Sequence, residues 1–198
     1  QDELFSNVKR LDTVIRDLND ILQVKVDLSE KKESIDLKEL VETVKTGIEQ
    51  VVQKENVSII TNFDEVPAIS SIRTYLHSVF YNLIFNSIKY RRPEVSPVIE
   101  ISSKYKSGNI CLTFRDNGMG IDLSKKGNQI FGLYKRFHHH VEGKGMGLFM
   151  VKTQVELMGG KIQVSSEENE GTEFSIEFKA ETEIKRTEDE GIEAVHNS

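Results

Sequence analysis

The chain has 198 residues, of which 37% are hydrophobic and 29% charged, enough for one globular domain with a core and some additional helix or tail. A net charge of -6 argues against nucleic acid as the main partner, because phosphate backbones are gripped by clustered Lys and Arg. The single Cys111 excludes an internal disulfide and has no Cys or His at zinc-ligand spacing, which fits a reducing, cytoplasmic setting.

Leu4, Val8, Leu11, Ile15, Leu18, Leu22 and Val26 recur at alternating spacings of four and three, predicting a helix over residues 1–26 with a narrow heptad stripe. Phe5, Val14, Ile21 and Val24 widen that surface, so a helical bundle suits it as well as a two-stranded coil. Residues 27–35 are polar and lose the periodicity, which reads as a linker. Asp36 and Glu39 then form a D-x-x-E capping box, and Leu40, Val44, Ile48 and Val51 carry a second helix toward Lys54.

Val57 to Phe63 reads as a strand, and a long helix follows from about Ile72 to Tyr90. From Pro97 the pattern is a hairpin, VIEISSKY and ICLTFRD around a turn at Lys106 to Asn109. After a glycine-bearing stretch from Asn117 to Gly147 come a helix from Met146 to Met158, a Gly159-Gly160 stop, and the strands KIQVSSE and TEFSIEF. Residues 181–198 read as a charged, mobile tail, so the folded domain is expected at 36–180. No apolar run approaches the roughly 18 residues that span a bilayer, and the start at Gln1 reads as the edge of a longer protein. The order of elements predicts an α+β fold with a mixed sheet covered on one face.

Three stretches carry chemistry. In NLIFNSIKY, Asn82, Asn86 and Lys89 share one helical face; an amide oxygen suits Mg²⁺, although the same face in isolation is a solvated polar stripe. In RDNGMGID, Asp116 at a strand end can accept a hydrogen bond from an exocyclic amine, and Gly118 and Gly120 let backbone pass near a planar ring; D-x-G-x-G is equally a simple turn. In GKGMGL, alternate glycines lead into a helix N-terminus, a phosphate-binding arrangement, and the run is not a Walker A loop because Lys144 is followed by Gly145.

Together, in this order and spacing, the three boxes resemble the GHKL ATPase superfamily, specifically its sensor histidine kinase branch, over Ile35 to Phe178. NLIFNSIKY looks like the N box, DNGMGI the first glycine box, IFGLYKRF the F box and GKGMGLFMVK the second glycine box. The resemblance implies a two-layer α/β sandwich of the Bergerat type, with ATP held under a lid, and makes the 1–26 helix the second helix of a dimerisation hairpin. It implies that Asn86 binds Mg²⁺, that Asn82, Lys89 and Arg136 act at the phosphates, and that Tyr90 flanks the adenine or ribose. Asp116 would take the adenine amino group, with Gly118, Gly120 and Ile121 beside it and Thr172 in support through water. Gly143, Lys144, Gly145, Met146, Gly147 and Leu148 would wrap the phosphates, while Phe131 and Tyr134 would pack the lid. Ser87 replaces the usual Ala as a small, neutral change, and the adjacent His138, His139 and His140 cannot easily face one ion.

ATP-hydrolysing relatives such as gyrase, Hsp90 and MutL carry a glutamate as general base where this chain has Asn82, an amide that cannot take a proton. Transfer to a protein side chain is therefore expected over rapid hydrolysis. None of His77, His138, His139, His140 or His196 lies in a context like H-E-L-R, so the acceptor histidine is expected upstream of Gln1. The resemblance further implies a homodimer, a response regulator as partner and no membrane contact by this stretch; the alternative reading is a non-catalytic nucleotide-binding scaffold.

Overall fold

The computed structural model describes residues 31–126, 129–133 and 145–180. The helix expected at 1–26, the tail at 181–198, and Tyr134, Arg136, His138, His139, His140, Gly143 and Lys144 lie outside the described residues.

The chain enters through strand β1 (Glu33–Asp36) and passes directly into helix α1 (Leu37–Gly47). Asp36 is the N-cap: its Oδ1 accepts the Glu39 N–H at 2.8 Å, as the D-x-x-E pattern predicts. Helix α2 (Glu49–Lys54) follows, then strands β2 (Ser58–Asn62) and β3 (Ala68–Ser71), and the long helix α3 (Arg73–Lys89). Strands β4 (Val98–Lys106) and β5 (Asn109–Asp116) form the expected hairpin. A short helix α4 (Leu123–Lys126), helix α5 (Gly147–Leu157), and strands β6 (Lys161–Glu167) and β7 (Gly171–Lys179) complete the order.

The main sheet has five strands in the order β2-β4-β5-β7-β6. Only β2 and β4 run parallel; the other neighbours are antiparallel, so the sheet is mixed as expected. Alternation along each strand sends one set of side chains inward. Ile99 and Ile101 of β4, Leu112 and Phe114 of β5, and Phe174 and Ile176 of β7 are buried, while Glu100 and Arg115 are exposed. Helix α3 supplies Leu76, Val79, Phe80, Leu83, Ile84 and Ile88 to the same core, and α1 adds Leu40, Val41 and Val44. Phe80 meets Phe114 edge-on, ring centroids 4.8 Å apart at 83°, a favoured aromatic geometry. Helix α5 brings Val151, Val155 and Met158, whose sulfur accepts from Ser71 Oγ at 3.1 Å.

Three features depart from the sequence expectation. Strand β1 begins at Glu33, inside the stretch read as linker, and pairs antiparallel with β3, burying Ile35 completely. Each of these strands is only four residues long and their pairing is non-local, so neither carries a readable alternation. The helix expected from Asp36 to Lys54 breaks at Ile48, whose φ of -122° and ψ of 18° leave the helical region just after Gly47, a weak helix former. Helix α4 occupies part of the stretch read only as glycine-bearing loop.

Phe80→Ala is expected to cost about 3–5 kcal/mol in urea unfolding, the usual loss for an aromatic removed from a packed core. Ile60→Thr, at a side chain 52% exposed on the edge strand β2, is expected to stay within about 0.5 kcal/mol of wild type.

Candidate functional site

Strand alternation places Asp116 next after Leu112 and Phe114 on the core-facing side of β5, opposite Ile99 in the ladder. A carboxylate in that position must find donors, and it finds them on separate segments. Its Oδ1 accepts the Gly118 N–H at 2.8 Å and the Thr172 N–H at 3.2 Å, and its Oδ2 accepts the Ser87 hydroxyl at 2.9 Å. Burial pushes the carboxyl above its ordinary value of 3.8; the hydrogen bonds from Gly118, Ser87 and Thr172 pull the other way without cancelling it.

The loop beside Asp116 is fixed by backbone proximity. A Cβ on Gly118 would stand 2.7 Å from Tyr90 O, and Met119 N–H donates to that same carbonyl at 2.9 Å. Gly120, at φ +64°, admits no side chain because a Cβ would lie 1.8 Å from Glu167 O. The glycines read from sequence as clearance for a ligand are thus required first by close backbone, Gly118 by the carbonyl of Tyr90 and Gly120 by the β6–β7 hairpin. Arg92 ties the parts together, donating from Nε to Asn117 O at 3.1 Å and from Nη1 to Asn169 O at 2.6 Å. Asn117 accepts Val98 N–H at 2.9 Å and donates to Ser96 O at 3.0 Å, closing the loop after α3 onto the start of β4.

At the other end, helix α5 starts without a side-chain cap at Met146, so its first-turn N–H groups have no partner from a capping side chain. Helix α3 approaches this terminus closely: a Cβ on Gly147 would lie 3.0 Å from Asn82 Oδ1 and 3.6 Å from Asn86 Nδ2. Asn82 is oriented by its Nδ2, which donates to Ser78 O at 2.8 Å and so turns the carbonyl oxygen toward Gly147. Lys89 sits with its Nζ 5.1 Å from the centroid of the Tyr90 ring, a cation–π distance.

Between these ends lies a cavity of about 790 Å³. Of the residues expected from sequence, Asn82, Asn86 and Lys89 of α3, its C-cap Tyr90, Asp116, Gly120, Ile121, Gly145, Met146, Gly147, Leu148 and Thr172 all line it. Gly118 contributes through its N–H to Asp116 rather than as wall. Four lining residues were not singled out as site residues: Tyr81, Phe85, Ser87 and Phe174. Tyr81 and Phe85 stack at 5.7 Å with an interplanar angle of 6°, and their spacing of four along α3 is the signal that could have found them. Ser87, read as a neutral replacement, is a hydrogen-bond partner of Asp116. Thr172 reaches Asp116 directly through its backbone, and its hydroxyl is 3.0 Å from Ser166 Oγ, which also accepts the Ile121 N–H at 2.8 Å. Phe131, expected to pack the lid, packs on Phe174 of β7, centroids 6.4 Å apart, and does not line the cavity.

A cavity with a carboxylate at one end and a helix N-terminus at the other suits a ligand with an amine-bearing ring and an anionic tail. Residues 72–182 match the family model of histidine kinase-, DNA gyrase B- and HSP90-like ATPases, more than half of the chain. The chain belongs to that ATPase family. It is an ATP-binding domain of the histidine kinase type, with curated relatives that are sensor kinases. Sensor protein RprX of Bacteroides fragilis is 32% identical over 153 residues, covering 74% of this chain and 29% of RprX. The chain spans less than a third of several curated relatives it matches. The fold of the ATPase domain is shared with the Acinetobacter baumannii histidine kinase AdeS, at TM-score 0.68 and 24% identity over 89% of this chain and 82% of AdeS. It is shared as well with ShkA, solved at full length in complex with AMPPNP, at TM-score 0.68 and 20% identity over 85% of this chain and 36% of ShkA.

Because burial raises the folded-state pKa of Asp116 above its unfolded value, holding the carboxylate ionised costs folding free energy at neutral pH. That cost is absent below the unfolded value of 3.8 and fully present once pH exceeds the raised folded value. Asn in its place keeps the two amide contacts through Oδ1 and offers Nδ2 to the Ser87 oxygen, whose proton can go to Leu83 O at 3.1 Å. Asp116→Asn is therefore expected to gain stability relative to wild type as pH rises from 3.8 to the raised folded value and to hold that gain above it, measured by urea unfolding at a series of pH values. A difference that does not change with pH would contradict this assignment.

Proposed function

We propose that this domain is the catalytic part of a two-component sensor histidine kinase, transferring the γ-phosphate of Mg-ATP to a histidine on a helix upstream of Gln1. The observation that carries the reading is the two-ended cavity: a half-buried carboxylate with an open acceptor position at one end, and the uncapped α5 N-terminus facing the Asn82 and Asn86 amides at the other.

Asp116 takes the exocyclic amine of adenine, with Gly118, Gly120, Ile121 and Thr172 shaping that end and Tyr90 beside the base or ribose. The N–H groups around Gly145, Met146, Gly147 and Leu148 take phosphate oxygens, supported by the helix-terminal dipole. Asn82 and Lys89 orient the same phosphates, and Gly143, Lys144 and Arg136 are assigned to the γ-phosphate side from the sequence motif. Asn86 would hold Mg²⁺ through its amide oxygen. The donor fits such an ion as one hard amide oxygen, which would leave the remaining positions to phosphate oxygens and water. When bound, Mg²⁺ neutralises charge on the transferred phosphoryl group.

Position 82 separates transfer from hydrolysis. Its side chain is an amide whose Nδ2 already donates to Ser78 O, so it cannot remove a proton from water. The site therefore positions and neutralises, and leaves the nucleophile to another segment. The segment at 1–26 is assigned to the second helix of a dimerisation hairpin, with 181–198 as a charged tail. The whole protein then acts as a homodimer in the cytoplasm, passing the phosphate to the receiver domain of a response regulator and making no use of nucleic acid. Among the described residues no helix is long and apolar enough to cross a membrane.

Calorimetric titration of ATP, with and without Mg²⁺, tests the assignment. Asp116→Asn is expected to weaken ATP by roughly 10- to 100-fold, the loss of about 1.5–3 kcal/mol typical of a hydrogen bond to a charged group. Asn86→Ala is expected to abolish the Mg²⁺ dependence while keeping residual binding. A histidine helix added as a separate piece should become phosphorylated by wild type; binding of ATP without such transfer would favour a non-catalytic nucleotide-binding scaffold.

A further inference from the structure

Two segments with little conformational restraint of their own meet at the Asp116 end of the cavity. The loop after β5 carries Gly118 and, at φ +64°, Gly120; the β6–β7 turn carries Asn169 at φ +66° and leads into Gly171 at φ +119°. Both sides supply donors to Asp116, the loop through Gly118 N–H and the hairpin through Thr172 N–H. A ring of hydrogen bonds keeps them in register. Met119 N–H donates to Tyr90 O at 2.9 Å, and Asn169 N–H donates to Met119 O at 2.6 Å. Arg92 closes the ring, donating from Nη1 to Asn169 O at 2.6 Å and from Nε to Asn117 O at 3.1 Å. Of these residues Tyr90 lines the cavity, whereas Arg92, Asn117, Met119 and Asn169 stand outside it.

We propose that Arg92 is a positioning residue for the nucleotide, holding the loop after β5 and the β6–β7 turn in their ligand-ready places from outside the cavity. The inference rests on the reading of this cavity as a nucleotide site. A guanidinium suits the task because its planar fork sends N–H groups in fixed directions, so one side chain spans two carbonyls that belong to different segments. Its own backbone follows Tyr90, the C-cap of α3, by two residues, so the clamp is anchored to the helix that carries Asn82 and Asn86. Without the guanidinium, the loop and the turn keep the Met119–Asn169 bond and the contact of Ile121 N–H with Ser166 Oγ, so the fold survives. The pair can then pivot about the bond between Met119 and Tyr90. Ordering it again on binding costs affinity that wild type, with the segments already in place, does not lose. That cost falls at the base end, away from Asn82 and the α5 terminus, and is therefore common to adenine nucleotides with one phosphate or three.

Calorimetric titrations of ATP and AMP into wild type, Arg92→Ala and Arg92→Lys, beside urea unfolding of each, test the clamp. Arg92→Ala is expected to weaken ATP and AMP by the same factor, about fivefold, the scale of ordering a small group on binding. The Mg²⁺ dependence of ATP binding is expected to stay as in wild type. Arg92→Lys keeps the positive charge without the fork and is expected to behave like Arg92→Ala. Wild-type affinities in Arg92→Ala, with only the unfolding midpoint lowered, would mark a merely structural role and overturn the proposal. A loss for ATP that spares AMP would overturn it by placing the effect at the phosphates, and wild-type affinity in Arg92→Lys would overturn it by showing that charge alone suffices. A folded wild type that takes up neither nucleotide overturns the cavity reading as well, whereas binding by wild type confines any failure to Arg92.

Discussion

A charge held at a core position constrains this domain more than any other single interaction. Asp116 occupies the inward register of β5 that Leu112 and Phe114 fill with apolar groups, and such a carboxylate is tolerated only where several donors converge on it. The donors come from α3, from the loop after β5 and from β7, so each of these segments must be in place before the carboxylate is satisfied. The close backbone contacts follow from the same requirement. Gly171 must lie against Asp116 O, where a Cβ would stand 2.0 Å away, for Thr172 N–H to reach the side chain, and its φ of +119° is open only to glycine.

The apolar half of the fold is independent of that charge, and it sets the site's dimensions. Phe80 on Phe114 fixes the height of α3 over the sheet, and Asn82 and Asn86 follow on the cavity-facing side of the same helix. Met158 against Ser71 anchors the C-terminal end of α5, and the same packing brings Gly147 at its other end against the α3 amides. The two helices thus frame the α5 end of the cavity, while the Asp116 end is held by hydrogen bonds through Arg92, Asn117 and Ser166. One site is built by two kinds of force.

This division explains what could be read in the chain beforehand. Long periodic segments declare themselves: the α3 pattern and the β4–β5 hairpin were placed to within about two residues, the ordinary precision of element ends. The N-box amides and Asp116 were visible because polar groups at core-adjacent positions contradict the local pattern. Strand β1 was not visible, because its partner β3 is distant in sequence and each contributes little periodic signal. The break at Ile48 was masked by apolar spacing that continues through it. The role of Ser87 is not legible locally: a hydroxyl beside Asn86 has no meaning until the fold brings Asp116 at the end of β5 against it. Tyr81 and Phe85 look like ordinary helix residues until the cavity is seen to run beside them.

The strand order carries a consequence for how the protein is made. The final strand, β7, is inserted between β5 and β6 rather than added at an edge, so the sheet stays open at its centre until the last segment of the domain arrives. During synthesis on the ribosome, everything through β6 can leave the exit tunnel while Asp116 still lacks the Thr172 amide and β5 lacks a neighbour. A domain still without β7 therefore has an incomplete sheet and no Thr172 amide for Asp116, rather than a finished ATP-binding pocket with a missing end.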